Sequence, residues 1–385
     1  MSRPAHPLAP LVEPGPELTS AQVSRYSRHL LVPGMGIEAQ RRLLAARVAV
    51  VGAGGLGSPI IAYLAAAGVG HLTVIDDDVV DATNLQRQVM HTTSGLGTRK
   101  VDSAAAFVAD LNPDVSVTVH HARITPDNAA DLLAGHDVVL DGADNFPTRY
   151  AVSDAARRLG LPVVWAAVLR FDAQVSTFVP TVEEAVTLRD LFPVPPLPED
   201  VPSCAEAGVL GALVGQVGSI MAAEAVKLIC GFGEPLVGRV LLVDALSQRT
   251  REVPLRPVGA DVVPVEREPV RDVVPLAEMD VHEVRALAGG GGAVLLDVRE
   301  PAEHALGTLP GATTVPVGEV LSWDTLEGRL DGRLDDGPLV VYCKAGPRAQ
   351  RAAAHLVKIG HPDVRVMRGG ILAWIEQVDP SLPTY

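Results

Sequence analysis

Cysteine is scarce in this chain of 385 residues: Cys204, Cys230 and Cys343 are its only three, too few and too far apart for a disulfide framework. No Cys-x-x-Cys pair occurs to hold a structural zinc ion, and a reducing compartment is expected. Positive charge is also short. Lys and Arg number 32 against 46 Asp and Glu, a net charge of −14, the wrong sign for nonspecific binding of DNA or RNA. The first twenty residues are proline-rich and hold no apolar core of signal-peptide length, so the cytoplasm is the expected location. A single apolar stretch, Gly208 to Ala223, could be mistaken for a membrane span. It carries Gln216 and four glycines between Glu206 and Glu224, and it reads as a buried helix. No phosphate-binding Gly-x-x-x-x-Gly-Lys-Ser/Thr loop is present.

What is present is ordinary globular composition, 48% hydrophobic and 20% charged, in a chain long enough for two or three folding units. A polar segment of helical character, Ala21 to Ala46, precedes the apolar run Arg47 to Gly52. Glycines, a small-residue helix from Ser58 to Ala67 and a strand from His71 to Ile75 follow, giving strand, turn, helix, strand. Further strands at Val115–His120, Asp137–Leu140 and Val163–Ala166 alternate with helical stretches. The fold class is therefore α/β, a Rossmann-like, mostly parallel doubly wound sheet, with Gln174–Val179 and Gly238–Val243 as strands at its far side. Prolines at 254, 257, 264, 269 and 275 have no helical or strand period and mark a linker. The expected organisation is an arm over 1–20, a nucleotide-binding domain over 21–255, a linker over 256–275 and a smaller α/β domain over 276–385. In that last domain a helix is expected at Val281–Ala288, strands at Ala293–Asp297 and Leu339–Tyr342, and a helix at Arg348–Lys358.

Gly52-Ala53-Gly54-Gly55-Leu56-Gly57 joins a strand to a helix, so backbone N–H groups can face a phosphate, and Asp76 ends the next strand, where an acid can bond ribose hydroxyls. These residues alone suit NAD equally well. Asn84-Leu-Gln-Arg87-Gln88 and Lys100 add two fixed cations near the same strand ends, as a polyphosphate that gains charge requires. Asp141-Gly-Ala-Asp144-Asn145 adds carboxylates suited to a magnesium ion. Together they describe a site for ATP and Mg2+. In order and spacing, Arg25-Tyr-Ser-Arg28, Gly52 to Gly57, Asn84 to Gln88, Lys100 and Asp144-Asn145 resemble the ThiF/MoeB-type adenylation domains, relatives of the ubiquitin-activating enzymes, over about residues 20 to 255. The resemblance implies that Gly54 and Asp76 bind adenosine, that Gly52, Gly55 and Gly57 belong to the same ATP-binding turn, and that Asn84, Arg87 and Lys100 hold the phosphates. It further implies that Asp144, beside Asn145, organises magnesium, and that Arg28 reaches the phosphates of a partner subunit, hence a homodimer. Many such domains carry two Cys-x-x-Cys pairs on zinc; the corresponding regions here, Phe178 to Pro202 and Arg251 to Val263, contain no cysteine, and no zinc is expected.

Cys343-Lys-Ala-Gly-Pro-Arg348 lies between a strand and a helix, where loop N–H groups and Arg348 can stabilise a thiolate or a persulfide. With Asp297-Val-Arg299-Glu-Pro-Ala-Glu303-His304, Gly307 to Ala312 and Arg368-Gly-Gly370, it resembles a rhodanese domain over about residues 276 to 385. Four residues separate Cys343 from Arg348, where related phosphatases have five, which favours sulfur transfer over phosphate hydrolysis. Pro347 removes one N–H donor from the loop. For Cys204, in a proline-rich connection, the resemblance implies a resolving thiol, and a structural thiol stays an open alternative. Cys230, in an apolar helix end, reads as core, and His29, His91, His120, His121 and His136 show no metal-ligand spacing.

The function these resemblances imply is ATP-dependent adenylation of a small ubiquitin-like sulfur carrier ending in Gly-Gly, then sulfur transfer from a Cys343 persulfide to give a thiocarboxylate. The sulfur would come from a cysteine desulfurase or thiosulfate, and neither nucleic acid nor membrane is a partner. Downstream use stays open among molybdopterin, thiamine, cysteine and a specialised metabolite. Two other readings are an NAD-dependent oxidoreductase fused to a sulfurtransferase, which leaves Arg87 and Lys100 without work, and a noncatalytic redox-sensing scaffold, which needs no nucleotide turnover.

Overall fold

A computed structural model describes residues 8–196, 208–258, 276–289, 292–326, 329–330 and 337–384. The chain divides into two compact units, the first holding described residues 8–196 and 208–258 and the second those from 276 onward. The expected linker falls almost wholly outside the described residues, as does Cys204.

The first unit is built on one eight-stranded sheet. Strands β1 (Arg47–Val51), β2 (His71–Ile75), β3 (Ser116–His120), β4 (Val138–Asp141) and β5 (Val163–Leu169) are parallel. Strands β6 (Asp172–Phe178), β7 (Arg239–Asp244) and β8 (Arg249–Pro254) extend the sheet antiparallel, in the order β3-β2-β1-β4-β5-β6-β7-β8. Ala49 and Val51 join one apolar cluster while Val48 and Val50 join another, so β1 is buried on both faces, as a strand covered by helices on each side must be. The direction changes after β5 because only Arg170 and Phe171 separate it from β6, room for a tight hairpin and not for a crossover helix. Arg170 takes φ 55° in that turn. From β1 the chain winds outward to β2 and β3, then returns past β1 to β4. The β1/β4 boundary is therefore the switch point at which a crevice opens beyond the strand ends.

The apolar stretch forms the helix Gly211–Cys230, three residues later than its first glycine. It is the one described helix long and apolar enough to cross a membrane, and it packs instead on the helix Gly57–Ala67 and on β5. Gly218 makes that approach possible, because a Cβ there would stand 2.4 Å from Pro59 Cγ. Glu224 is buried in the same helix, accepts from Thr177 Oγ1 at 2.9 Å and from the Leu236 N–H at 2.6 Å, and pairs with Lys227. The polar segment before β1 resolves into three helices, Ser20–Arg25, Ser27–Leu30 and Gly36–Ala45, the first closed by a capping box from Thr19 and Gln22.

The second unit holds a five-stranded parallel sheet, ordered β11-β10-β12-β13-β9, from β9 (Ala277–Met279), β10 (Val294–Asp297), β11 (Thr313–Thr314), β12 (Leu339–Tyr342) and β13 (Val364–Met367). Alternate residues of β10 and β12 enter two cores: Leu296 and Val341 on one face, Leu295, Val340 and Tyr342 on the other. The helix Pro347–Lys358 begins one residue before its expected start because Pro347, which lacks an N–H, suits a first helical position.

Candidate functional site

The ends of β1, β2 and β4 open into one pocket lined by Gly52, Gly54, Gly55, Asp76, Arg87, Gln88, Lys100, Asp144, Asn145 and Arg149, among others. Most residues singled out for the nucleotide thus meet at the switch point. Gly52 carries φ +87° and would bring a Cβ within 3.1 Å of the Gly142 carbonyl oxygen. Gly57 does not line the pocket; a Cβ on it would stand 2.0 Å from the Gly52 oxygen, so its part is to let the turn close on itself. Asp76 Oδ2 accepts the Ala53 N–H at 2.8 Å and Oδ1 accepts the Asp78 N–H at 2.8 Å. Burial raises its carboxyl above the ordinary range, opposed by the nearby Lys100 charge. Lys100 opens the helix Lys100–Leu111 with its ammonium on Asp78 Oδ2 at 2.7 Å. Arg87 donates to the Thr83 carbonyl at 3.0 Å, and its stem lies 3.6 Å from where a Gly55 Cβ would be.

Asp144 is exposed, touches the Asn145 amide at 3.3 Å, and keeps its carboxylate open to the pocket; Asn145 also caps the helix Phe146–Leu159 by accepting the Thr148 N–H at 3.0 Å. Asp76, Asp77 and Asp78 bring three carboxylates within 4.8 Å of one another on the same pocket wall. Asp141, three residues before Asp144, is fully buried, and burial pushes its carboxyl up to about 6 against the pull of Arg149. It is therefore a core acid beneath the pocket. Asn84 and Arg28 are not among the lining residues. Asn84 sits in a short 3-10 turn with its amide 3.4 Å from Thr83 Oγ1, and Arg28 is exposed on the helix Ser27–Leu30. The neighbouring Tyr26 is buried, receives a hydrogen bond from Asn112 at 3.0 Å and donates one to Asp114 at 3.2 Å, anchoring the segment that carries Arg28.

Two pocket residues, Arg149 and Gln88, and one residue behind the pocket, His91, had no assigned role in the sequence. Arg149 is buried, donates to the Ala143 carbonyl at 3.0 Å and lies over the rings of Phe146 and Trp165. Gln88 is buried beside Gly54, and its Oε1 has no hydrogen-bond partner, a costly state for an interior acceptor unless a bound molecule supplies a donor. His91 is buried behind the glycine turn, with Nε2 at 2.8 Å from the Ala53 oxygen. Gln88 had only the motif around it as a signal, and His91 had none, since its partners are remote in sequence.

In the second unit Cys343 follows β12 and is 1% exposed; its sulfur accepts the Gly346 N–H at 3.1 Å. The carbonyls of Cys343 and Lys344 point the other way, accepting the N–H groups of Ile371 at 2.9 Å and Leu372 at 3.2 Å from the helix Gly370–Gln377. Gly370 permits that contact, since a Cβ there would lie 2.4 Å from the Cys343 oxygen. The loop therefore directs carbonyls toward that helix and at least one N–H toward sulfur, an arrangement suited to an anion on that atom. Arg348 is held by Glu303 through two hydrogen bonds, 2.5 and 2.9 Å. Beneath it Arg299 and Asp297, both fully buried, pair at 2.6 Å, and Arg299 also donates to the Gly307 carbonyl at 2.6 Å. Arg299 also donates to the Glu303 carbonyl at 3.3 Å, so the acidic and basic motif residues connect through Glu303 to the helix that follows the cysteine loop.

A profile of the ThiF family matches residues 26–261, and one of the rhodanese-like domain matches residues 280–377. A Mycobacterium tuberculosis protein named probable adenylyltransferase/sulfurtransferase MoeZ is 42% identical over 392 residues, 98% of this chain and 99% of that one. The Drosophila grimshawi adenylyltransferase and sulfurtransferase MOCS3 is 35% identical, over 96% of this chain and 87% of its own. The Haloferax volcanii SAMP-activating enzyme E1 is 52% identical over 239 residues, 62% of this chain and 87% of that one. Among solved structures, Escherichia coli MccB with ATP has a TM-score of 0.53 at 20% identity, over 61% of this chain and 72% of that one, a likeness of fold.

Proposed function

The chain belongs to the ThiF family, and on that premise we propose that it adenylates the C-terminal Gly-Gly carboxylate of a small ubiquitin-like sulfur carrier and converts it to a thiocarboxylate. The observation that carries this reading is the union, at the switch point, of the glycine turn, Arg87, Lys100 and Asp144 in a chain that also holds a braced cysteine loop. A nicotinamide reading leaves that cationic wall unused, and a scaffold reading leaves both sites unused.

In the first step the carrier carboxylate attacks the α-phosphorus of ATP, forming an acyl-adenylate and releasing pyrophosphate. Lys100 and Arg87 neutralise the charge that gathers on the leaving phosphates, while N–H groups of the glycine turn orient the substrate. Asn84 is assigned to the same phosphates. Magnesium fits the oxygen donors on the pocket wall: Asp144 would hold it, and it would supply further charge neutralisation on the polyphosphate. No zinc site is assigned. Arg28, exposed and outside this chain's own pocket, is assigned to the phosphates of a second copy in a homodimer. The assigned location is the cytoplasm.

In the second step a persulfide anion on Cys343 attacks the acyl carbon and AMP leaves, giving a carrier acyl disulfide. The Gly346 N–H holds Cys343 Sγ, the sulfur that would carry the transferable atom, and Glu303 keeps Arg348 beside the loop. A thiolate, from Cys204 or an external thiol, then attacks Cys343 sulfur; the carrier leaves as thiocarboxylate and a disulfide forms, which a further thiol must reduce. The sulfur donor is assigned as a desulfurase persulfide or thiosulfate. Intact mass of a Gly-Gly carrier after incubation with the protein, ATP and either donor tests the whole: oxygen replaced by sulfur is expected. A carrier unchanged in mass, with no release of pyrophosphate, overturns it.

A further inference from the structure

The glycine turn and the helix that carries Lys100 are tied into a closed ring of hydrogen bonds. The Ala53 N–H donates to Asp76 Oδ2 at 2.8 Å, and Asp76 Oδ1 accepts the Asp78 N–H at 2.8 Å. Asp78 in turn takes both ends of Lys100, its backbone N–H on the carbonyl at 3.0 Å and its ammonium on Oδ2 at 2.7 Å. One turn along that helix, Ser103 Oγ lies 2.9 Å from His91 Nδ1, and His91 Nε2 lies 2.8 Å from the Ala53 carbonyl oxygen. His91 closes the ring. A carbonyl can only accept, so the Nε2 of His91 carries the proton and Nδ1 accepts from the Ser103 hydroxyl. Ala53 is thereby held through both of its backbone polar groups, by Asp76 at its N–H and by His91 at its carbonyl oxygen.

We infer that His91 is a positioning residue for the polyphosphate, an inference that rests on the adenylation reading. Its imidazole fixes how far the glycine turn stands from the Lys100 helix before nucleotide enters. The geometry favours this over simple core filling because both ring nitrogens are engaged, one on each of the two elements that face the phosphates. Burial lowers the imidazole's proton affinity, as does the Lys100 charge, against the opposing pull of the Ala53 bond, and in the neutral ring so favoured Nε2 donates to Ala53 while Nδ1 accepts from Ser103. Groups aligned in advance spend no reorganisation when the anion binds, so loss of the strut should weaken phosphate binding and spare the nucleoside.

Calorimetric titration of the full chain with magnesium–ATP and, separately, with adenosine tests this without a carrier. The unaltered chain should prefer ATP. His91→Leu should lose about tenfold or more in ATP affinity while adenosine affinity stays within about twofold, the size expected for losing one interior hydrogen bond to an aligned group. His91→Gln, whose side-chain amide can donate to the same carbonyl, should recover most of the loss. Ser103→Ala, a small change outside the turn, should shift the ATP preference in the same direction and by less. An ATP preference undiminished in His91→Leu and Ser103→Ala overturns the inference, as does an equal loss for both ligands or a Gln variant no better than Leu. An unaltered chain with no preference for ATP over adenosine would instead overturn the nucleotide reading and carry this inference with it.

Discussion

Lys100 is buried while its partner Asp78 has a side chain 61% exposed, and that asymmetry decides what substitution does. Removing the ammonium leaves an acid that water can solvate, so Lys100→Ala should keep its fold and lose a charge that the transition state needs. Lys100→Ala and Arg87→Ala should each cut carrier-dependent exchange between pyrophosphate and ATP by roughly a hundredfold or more, measured with labelled pyrophosphate alongside an unchanged circular dichroism spectrum. Normal exchange in both would remove them from the phosphate site. Cys230 belongs to the opposite class. Burial pushes its thiol up to about 12 from 9.0, so native protein at pH 8 should leave it unalkylated by iodoacetamide in a peptide map. The raised value also means that the folded state holds this proton longer than the unfolded state. Stability contributed by the neutral thiol is intact below pH 9 and declines as pH climbs toward 12, and Cys230→Ala should flatten that decline in thermal melts. Arg87, Lys100 and Asp144 were legible in the sequence because their chemistry is local to each side chain. Gln88 and His91 were not, because their roles arise from the Gly54 and Ala53 backbone against which the fold presses them.

At the scale of elements, the strand–glycine–helix unit was readable because β1 is a continuous apolar run ended by residues that only a turn can use. The glycines within it are not equivalent. A methyl on Gly55 would meet a methyl of Val214 at 2.8 Å, a side chain that can give way, whereas one on Gly57 would meet the Gly52 carbonyl oxygen at 2.0 Å. Gly57→Ala should therefore open the turn, abolish ATP binding in calorimetry and lower the melting temperature of the first unit. Gly55→Ala should keep the melting temperature within a few degrees and reduce ATP affinity only moderately; equal damage in the two variants would refute the backbone argument. Four strands escaped the sequence reading for physical reasons. β8 is a charge-rich edge strand, exposed along most of its length and held by β7 alone, so it lacks the apolar alternation of an inner strand. β9 and β11 are three and two residues long, too short to show any period. β13, with Arg365 inside an otherwise apolar run, is read as a strand only once β12 and β9 are seen on either side of it.

For the whole molecule, the sites sit in separate compact units with separate cores, so the second chemical step should be removable without the first. Arg28 adds a second copy to the picture. If it serves a partner's pocket, mixing Arg28→Ala with Lys100→Ala protein should regain part of the exchange activity that each lacks, because hybrid dimers hold one intact site; no recovery in verified hybrids would return Arg28 to its own chain. Cys343→Ala separates the steps. The substitution removes the sulfur nucleophile and touches no residue of the nucleotide pocket, so exchange between pyrophosphate and ATP should continue at the unaltered rate. Its cost to the second unit should be slight, since only the thiol is lost from Cβ and the loop carbonyls keep their bonds to Ile371 and Leu372. The carrier should then accumulate as acyl-adenylate, detectable by intact mass, and thiocarboxylate made from a persulfide donor should fall to background. Thiocarboxylate at the normal rate would mean that the cysteine loop is not the relay, and that sulfide or Cys204 attacks the adenylate directly.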